Sequence, residues 1–195
     1  MSMRITLIAG SNRSDSQSGR VAQYLAQRLQ QLNVETDIID LAAEPLPLWP
    51  AESTNNPWPG FADKLRAAQA VVVITPEWNG MACPALKNLF LYAGRRELAH
   101  KPALLVGVSS GQGGAYPIAE MRSSSYKNCR LCYLPDHLIV RHVESVMGET
   151  VTGEDDQRIR ARADWSLQLL LDYANAMRDL HEKHRSPPAD FMNGM

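Results

Sequence analysis

The sequence is poor in cysteine, in net charge and in long apolar runs. Three cysteines in 195 residues, Cys83, Cys129 and Cys132, are too few for a disulfide framework. Cys129-Arg130-Leu131-Cys132 has the spacing of a redox CxxC motif, but that motif wants its first thiol at a helix N-terminus, and here it leads into a strand. His137 and His142 alternate along a strand pattern instead of clustering, so no metal site is expected. A formal net charge of −1 without runs of like charge argues against nucleic acid or an anionic membrane surface as the principal partner and favours small molecules. No stretch approaches the ~20 apolar residues of a membrane helix, and the amino terminus enters a strand-like run without a signal-peptide pattern, so a cytoplasmic location is expected. Two nucleotide signatures are missing as well. No Gly-Lys precedes the first helix, as a triphosphate-binding loop requires, and Asn12 replaces the second glycine of a GxGxxG fingerprint.

What the chain does contain is an alternation. Five short apolar runs, 4–9, 35–40, 70–75, 103–108 and 138–140, read as strands, most of them continuous Val/Ile/Leu segments of the kind covered on both faces. Between them, residues 18–31 place Val21, Leu25, Ala26 and Leu29 on one helical stripe, and residues 60–68 group Phe61, Leu65 and Ala68. Further helices are expected over 84–96, where Pro84 suits a first turn, over 115–127 and over 155–184. Strands alternating with helices imply right-handed crossovers. The expected fold is α/β: a three-layer sandwich with a five-stranded parallel sheet in the order 2-1-3-4-5, and a ligand at its carboxyl edge between strands one and three. One domain over residues 1–185 would bury roughly 70% of its unfolded surface. Residues 186–195 are expected to be flexible, and the proline-rich stretch 44–60 to be a stiff loop serving a site or an interface.

Three loops at that edge carry chemistry. After strand one, Gly10-Ser11-Asn12-Arg13-Ser14-Asp15-Ser16-Gln17-Ser18 offers hydroxyls, a guanidinium and a helix N-terminus, the ingredients of a phosphate cradle. Such residues also cap ordinary helices, and it is the position after the first strand that favours the cradle. After strand three, Thr75-Pro76-Glu77-Trp78-Asn79-Gly80 is read as a turn whose backbone can meet the edge of a heteroaromatic ring, with Trp78 supplying a flat face. After strand four, Ser109-Ser110-Gly111-Gln112-Gly113-Gly114 allows close approach to a planar ligand.

Together with Leu86-Lys87-Asn88 and Leu46-Pro47-Leu48, these motifs resemble the NAD(P)H-dependent FMN reductase family, which includes flavodoxin-like quinone, chromate and azo-dye reductases. The resemblance runs in order over residues 4–140. It implies a flavodoxin-like fold with the FMN phosphate on Ser11, Arg13, Ser16 and Ser18. It sets the isoalloxazine against Pro76, Glu77, Trp78, Asn79 and Gly80, with Ser110, Gly111 and Gly114 on another side. Trp78 stands where the family usually has Tyr, Met81 where it has Ser, Ala85 where it has Gly and Ser18 where many relatives have Asn. The implied activity is hydride transfer from NAD(P)H through flavin N5 to a quinone, free flavin or similar two-electron acceptor, with ping-pong kinetics and no catalytic side chain. Glu77 is read as a capping or subunit-pairing carboxylate, and Arg95 and Arg96 as cations closing a helix. A homodimer or homotetramer is implied. Two alternatives stay open: an FMN-binding electron carrier, which the near-neutral charge disfavours, and a flavin-less module binding a phosphate ligand.

Overall fold

The structure is a computed structural model that describes residues 2–51, 55–184 and 186–191. In chain order its elements are β1 (Arg4–Ala9), α1 (Gln17–Gln31), β2 (Glu35–Asp40), α2 (Trp58–Ala67), β3 (Ala70–Trp78), β4 (Met81–Ala82), α3 (Pro84–Tyr92), α4 (Arg95–Leu98), β5 (Pro102–Val108), α5 (Ala115–Ser123), β6 (Cys132–Val140) and α6 (Glu154–His184). Short 3₁₀ turns follow at Val143–Ser145 and Ala189–Phe191.

Five strands pair in parallel in the order β2-β1-β3-β5-β6, the expected doubly wound arrangement. The sheet has a sixth strand that the sequence reading omits, β4, antiparallel to the end of β3. Side chains alternate across the central strands and divide the interior into two cores. On one face Ile5, Leu7, Val72, Ile74, Leu104 and Val106 meet Val21, Leu25 and Leu29 of α1 and Leu167, Leu170 and Ala174 of α6. On the other, Ile8, Val71, Val73 and Leu105 meet Phe61 and Leu65 of α2, Leu86 and Leu89 of α3, and Ile118 and Met121 of α5. The stripes read for α1 and α2 are the buried ones.

Local chemistry moves several boundaries. The strand expected to stop at Thr75 runs on to Trp78, because Glu77 and Trp78 pair with Ala82 and Met81. The helix expected over 84–96 ends at Tyr92; Gly94 then opens the separate α4, its amide donating to Glu97 Oε2 at 3.0 Å. The helix expected to reach residue 127 ends at Ser123, where the hydroxyls of Ser123 and Ser124 donate to Glu120 O, at 3.0 and 2.7 Å, in competition with the helical ladder. The last strand begins at Cys132 instead of Leu138, with an irregular register opposite Ala103 and Leu105. It lies at the sheet edge, where Pro135 is tolerated. Of the expected tail, Ala189–Phe191 forms a turn whose Phe191 carbonyl accepts from Arg130, and residues 192–195 lie outside the described ones.

The amino edge of the sheet is closed by side chains. Lys101, at 1% exposure, donates through Nζ to Leu65 O at 2.6 Å and to Arg66 O at 3.2 Å, satisfying carbonyls at the end of α2. Gln69 accepts from Arg4 N at 2.8 Å. His181 of α6 contacts Ala99 O at 2.6 Å through Nδ1.

Candidate cofactor site

At the opposite edge, β1 and β3 part and their following loops diverge to opposite faces, leaving a crevice. Gly10 marks the last close approach before they part. Its amide donates to Ile74 O at 2.8 Å, and a Cβ there would stand 2.7 Å from that oxygen and 2.9 Å from Leu86 Cβ.

The loop beyond Gly10 builds one wall of a cleft of about 250 Å³, lined by Ser11, Arg13, Ser16, Ser18, Pro76, Glu77, Trp78 and Ser110, eight of the residues expected to hold the cofactor. Ser16 caps α1, its Oγ accepting from Ser18 N at 3.1 Å; Ser11 Oγ accepts from Arg13 N at 3.2 Å. In both cases the hydroxyl's own proton is left to donate elsewhere. Ser18 is 1% exposed, yet its Oγ has no hydrogen-bond partner among the described residues. A buried hydroxyl without a partner costs free energy, and its place in the cleft beside the α1 N-terminus suits it to an anion's oxygen. Arg13 is mostly exposed and meets Asp15 at 3.4 Å, an exposed pair of the weak kind that a stronger anion displaces. The donor set of hydroxyls, helix N-terminus and exposed guanidinium fits a phosphate monoester.

The second wall is the end of β3. Asn79 has φ +50° and Gly80 φ +72°, the two left-handed residues of a type I′ hairpin, and Asn-Gly is its preferred sequence. That dipeptide was the available signal for the hairpin that the sequence reading treated as an open turn. Asn79 faces a shallower recess of about 520 Å³ beside Asn12, Arg13 and Trp78, while Gly80 sits at the hairpin tip and lines neither space. Met81, after the turn, is 51% exposed.

Two carboxylates fix this hairpin. Glu77 Oε2 accepts from Gly114 N at 2.5 Å, so Glu77 caps the start of α5, as one reading of it expected. Glu120 of α5 accepts from Lys87 Nζ at 2.5 Å and from Ala82 N at 2.7 Å. The Lys87 bond first, and the Ala82 amide second, hold its carboxyl below the usual range. Asn88 fastens the proline-rich loop: its Oδ1 accepts from Trp49 N and its Nδ2 donates to Pro47 O, both at 2.9 Å. Lys87 and Asn88 therefore support the cleft from behind.

The third loop is reached through backbone. Gly114, at φ +103°, is the α5 N-cap, and its carbonyl lies where a Cβ on Gly107 would come within 2.2 Å of it. Gly111 bridges two loops, its amide donating to Ser109 Oγ at 3.2 Å and its carbonyl accepting from His142 N at 3.1 Å. Neither Gly111 nor Gly114 lines the cleft.

The sequence reading missed a fourth loop, which brings Val143 and Glu144 to the cleft alongside Ser109, Asp15 and Gln17. It is held by Arg20, whose guanidinium donates to Val146 O at 3.0 Å, Met147 O at 2.8 Å and Val143 O. An arginine bordering the apolar stripe of α1 was the sole sequence trace of this anchor. The thiols take no part in the cleft, and burial pushes Cys129 up to about 11. Among the described residues no group of three or more His, Cys, Asp or Glu is arranged to hold a metal ion.

The sequence pattern of the family described as NADPH-dependent FMN reductase matches residues 3–145. A curated NADPH azoreductase from Bacillus sp. (strain OY1-2) is 32% identical over 126 residues, 63% of this chain and 68% of the relative. A quinone reductase from Pseudomonas putida is 29% identical over 120 residues, 57% of this chain and 63% of the relative. Among solved structures, the flavoenzyme NAD(P)H:(acceptor) oxidoreductase FerB from Paracoccus denitrificans aligns with a TM-score of 0.68 at 19% identity, over 90% of this chain and 98% of that one. An NADH:FMN oxidoreductase in its apo form aligns with a TM-score of 0.69 at 15% identity, over 98% and 95%.

Proposed function

The chain belongs to the NADPH-dependent FMN reductase family, and from that premise we propose that it binds FMN in the cleft between β1 and β3 and reduces quinones, free flavin or similar two-electron acceptors with NAD(P)H. The observation that carries the reading is the buried, unpartnered hydroxyl of Ser18 among Ser11, Arg13 and Ser16.

FMN held there would supply hydride acceptance and donation at its N5, and kinetics of the ping-pong type would follow. The chain's own work is binding and orientation. Ser11, Ser16 and Ser18 donate hydroxyl protons to the phosphate, and Arg13 leaves Asp15 to add a charge-assisted bond. Pro76, Glu77 and Trp78 form the platform for the ring, with Asn79 and Ser110 at its margins. Gly80, Gly111 and Gly114 act through the backbone, shaping the hairpin and the loops. The Glu77 and Glu120 ties hold that platform still, so that donor and acceptor meet the ring in a repeatable geometry. No side chain is assigned proton transfer.

Exposed Leu91, Met81 and Tyr116 around the hairpin and the helices beside it, with Leu48 and Trp49 in the loop docked on Asn88, support a homodimer or homotetramer that covers this side. We place the protein in the cytoplasm; among the described residues no helix is long and apolar enough to cross a membrane.

Arg13→Ala tests the cradle. Loss of one charge-assisted contact weakens FMN about tenfold in a flavin fluorescence titration, and unchanged affinity removes Arg13 from the site. NADPH oxidation dependent on added quinone tests the activity itself.

A further inference from the structure

Beyond the Val143–Ser145 turn lies a larger cavity, of about 620 Å³. Resting on the reading of the chain as an NADPH oxidoreductase, we propose that this cavity receives the 2′-phosphate end of the donor and so makes NADPH preferred over NADH.

Its charge points to a phosphate. Arg141 and His142 reach it from the end of β6, and Arg158 and Arg162 from α6, against one lining carboxylate, Asp155. Each arginine is tethered at one nitrogen. Arg141 Nε donates to Gly113 O at 3.2 Å, Arg158 Nη2 meets Asp155 at 2.7 Å, and Arg162 Nη2 meets Asp136 at 2.8 Å. Their other N–H groups have no partner among the described residues, which leaves guanidinium N–H groups to match phosphate oxygens. The remaining wall suits a nucleobase, since Ile139, Val146 and Ile159 supply apolar surface beside the arginines. A guanidinium also stacks on aromatic faces.

Its place points to the same dinucleotide that the cleft uses. One turn separates the two spaces: Val143 and Glu144 line the cleft, while His142 and Ser145 line the cavity. Val143 N donates to Ser109 O at 3.1 Å, and His142 Nε2 lies 2.8 Å from Gln112 Nε2, so the partition is tied to the loop after β5. A donor whose nicotinamide meets a flavin held in the cleft would reach the cavity by laying its adenosine half across this partition. NADH presents a ribose hydroxyl to the arginines in place of a dianion, and that difference is the basis of the preference. Arg95 and Arg96, the other arginine pair in the sequence, sit on α4 and line neither space.

The test uses the full chain with FMN added. Calorimetric titrations compare 2′,5′-ADP with 5′-AMP, and steady-state kinetics give KM for NADPH and NADH, in wild type, Arg162→Ala and Arg158→Ala. We expect 2′,5′-ADP to bind wild type about tenfold tighter than 5′-AMP, and the ratio of KM for NADPH to that for NADH to rise about tenfold in Arg162→Ala. Arg158 has a side chain 82% exposed, so its replacement does not threaten the fold, and a smaller change of the same sign is expected there. Equal binding of the two probes by wild type, or an unchanged ratio and unchanged 2′,5′-ADP affinity in both variants, overturns the proposal. If wild type oxidises neither nucleotide, the proposed function fails by itself. The 2′,5′-ADP titration then still judges the cavity, with discrimination that depends on Arg162 supporting it and its absence overturning it.

Discussion

The two edges of the sheet put their polar groups to different uses. At the amino edge a buried lysine is spent on two carbonyls of α2, and Gln69 answers the amide of Arg4. At the carboxyl edge Ser18 keeps a buried hydroxyl without a partner, Arg13 projects outward, and Asn79 takes the left-handed backbone of the hairpin tip. The amino edge also holds a buried atom without a partner among the described residues, Arg130 Nε before β6, but only the Ser18 hydroxyl at the carboxyl edge belongs to a residue that lines the cleft, where a ligand can complete its bond. The difference teaches where stability and function separate in this chain, and substitutions at each end test it.

The largest effect is expected where the carboxyl edge is most tightly built. Gly107→Ala drives a methyl group into the Gly114 carbonyl, and the backbone on both sides must shift. A loss of about 3 kcal/mol or more in urea unfolding is expected. A neutral result would mean that the β5 and α5 loops are not held as close as the geometry requires.

Lys101→Met comes next. It leaves two carbonyls at the end of α2 without their donor, and about 2 to 3 kcal/mol of stability is lost in the same assay. FMN affinity stays within about twofold, because the change is at the far edge. A large loss of FMN affinity would erase the division between the edges.

Ser18→Ala separates the two properties by sign. Removing an unpartnered hydroxyl raises the stability of the flavin-free protein by up to about 1 kcal/mol, and losing its bond to phosphate weakens FMN about fivefold. Thermal melts with and without FMN read both. Destabilisation of the flavin-free form would show that Ser18 serves the fold instead.

The smallest effect is a pH dependence at the hairpin tie. Glu120 is held below its usual range by Lys87 and by the Ala82 amide, so its contribution is fully present above the ordinary carboxylate pKa and is lost as pH falls through the lower folded value. The difference in Tm between wild type and Glu120→Gln should therefore close on acidification. A difference that persists in acid would assign the tie to packing.

Much of this molecule was legible from local pattern. The Val/Ile/Leu runs announced strands covered on both faces, and the stripe through Val21, Leu25 and Leu29 announced the face of α1 that the sheet covers. The serine and arginine loop was legible because its chemistry is local, with Ser16 capping the helix it precedes. The hairpin was written in Asn79-Gly80 but hidden by the proline and apolar residues before it, which read as the end of a strand. Other features had no local trace. Arg20 gripping the 143–147 backbone, Glu120 reaching Lys87 and Ala82, and Asn88 holding Pro47 and Trp49 all join residues far apart in sequence.

By itself, the sequence determined the alternation of strands and helices and three loops whose residue types suit a phosphate and a planar ring, because apolar period and turn residues act over a few positions. Tertiary structure decided which polar groups remain unsatisfied, how the fourth loop divides the carboxyl edge into a cleft and an arginine-lined cavity, and which carboxylates brace the hairpin. Those outcomes depend on contacts between residues far apart in sequence, which no local pattern records.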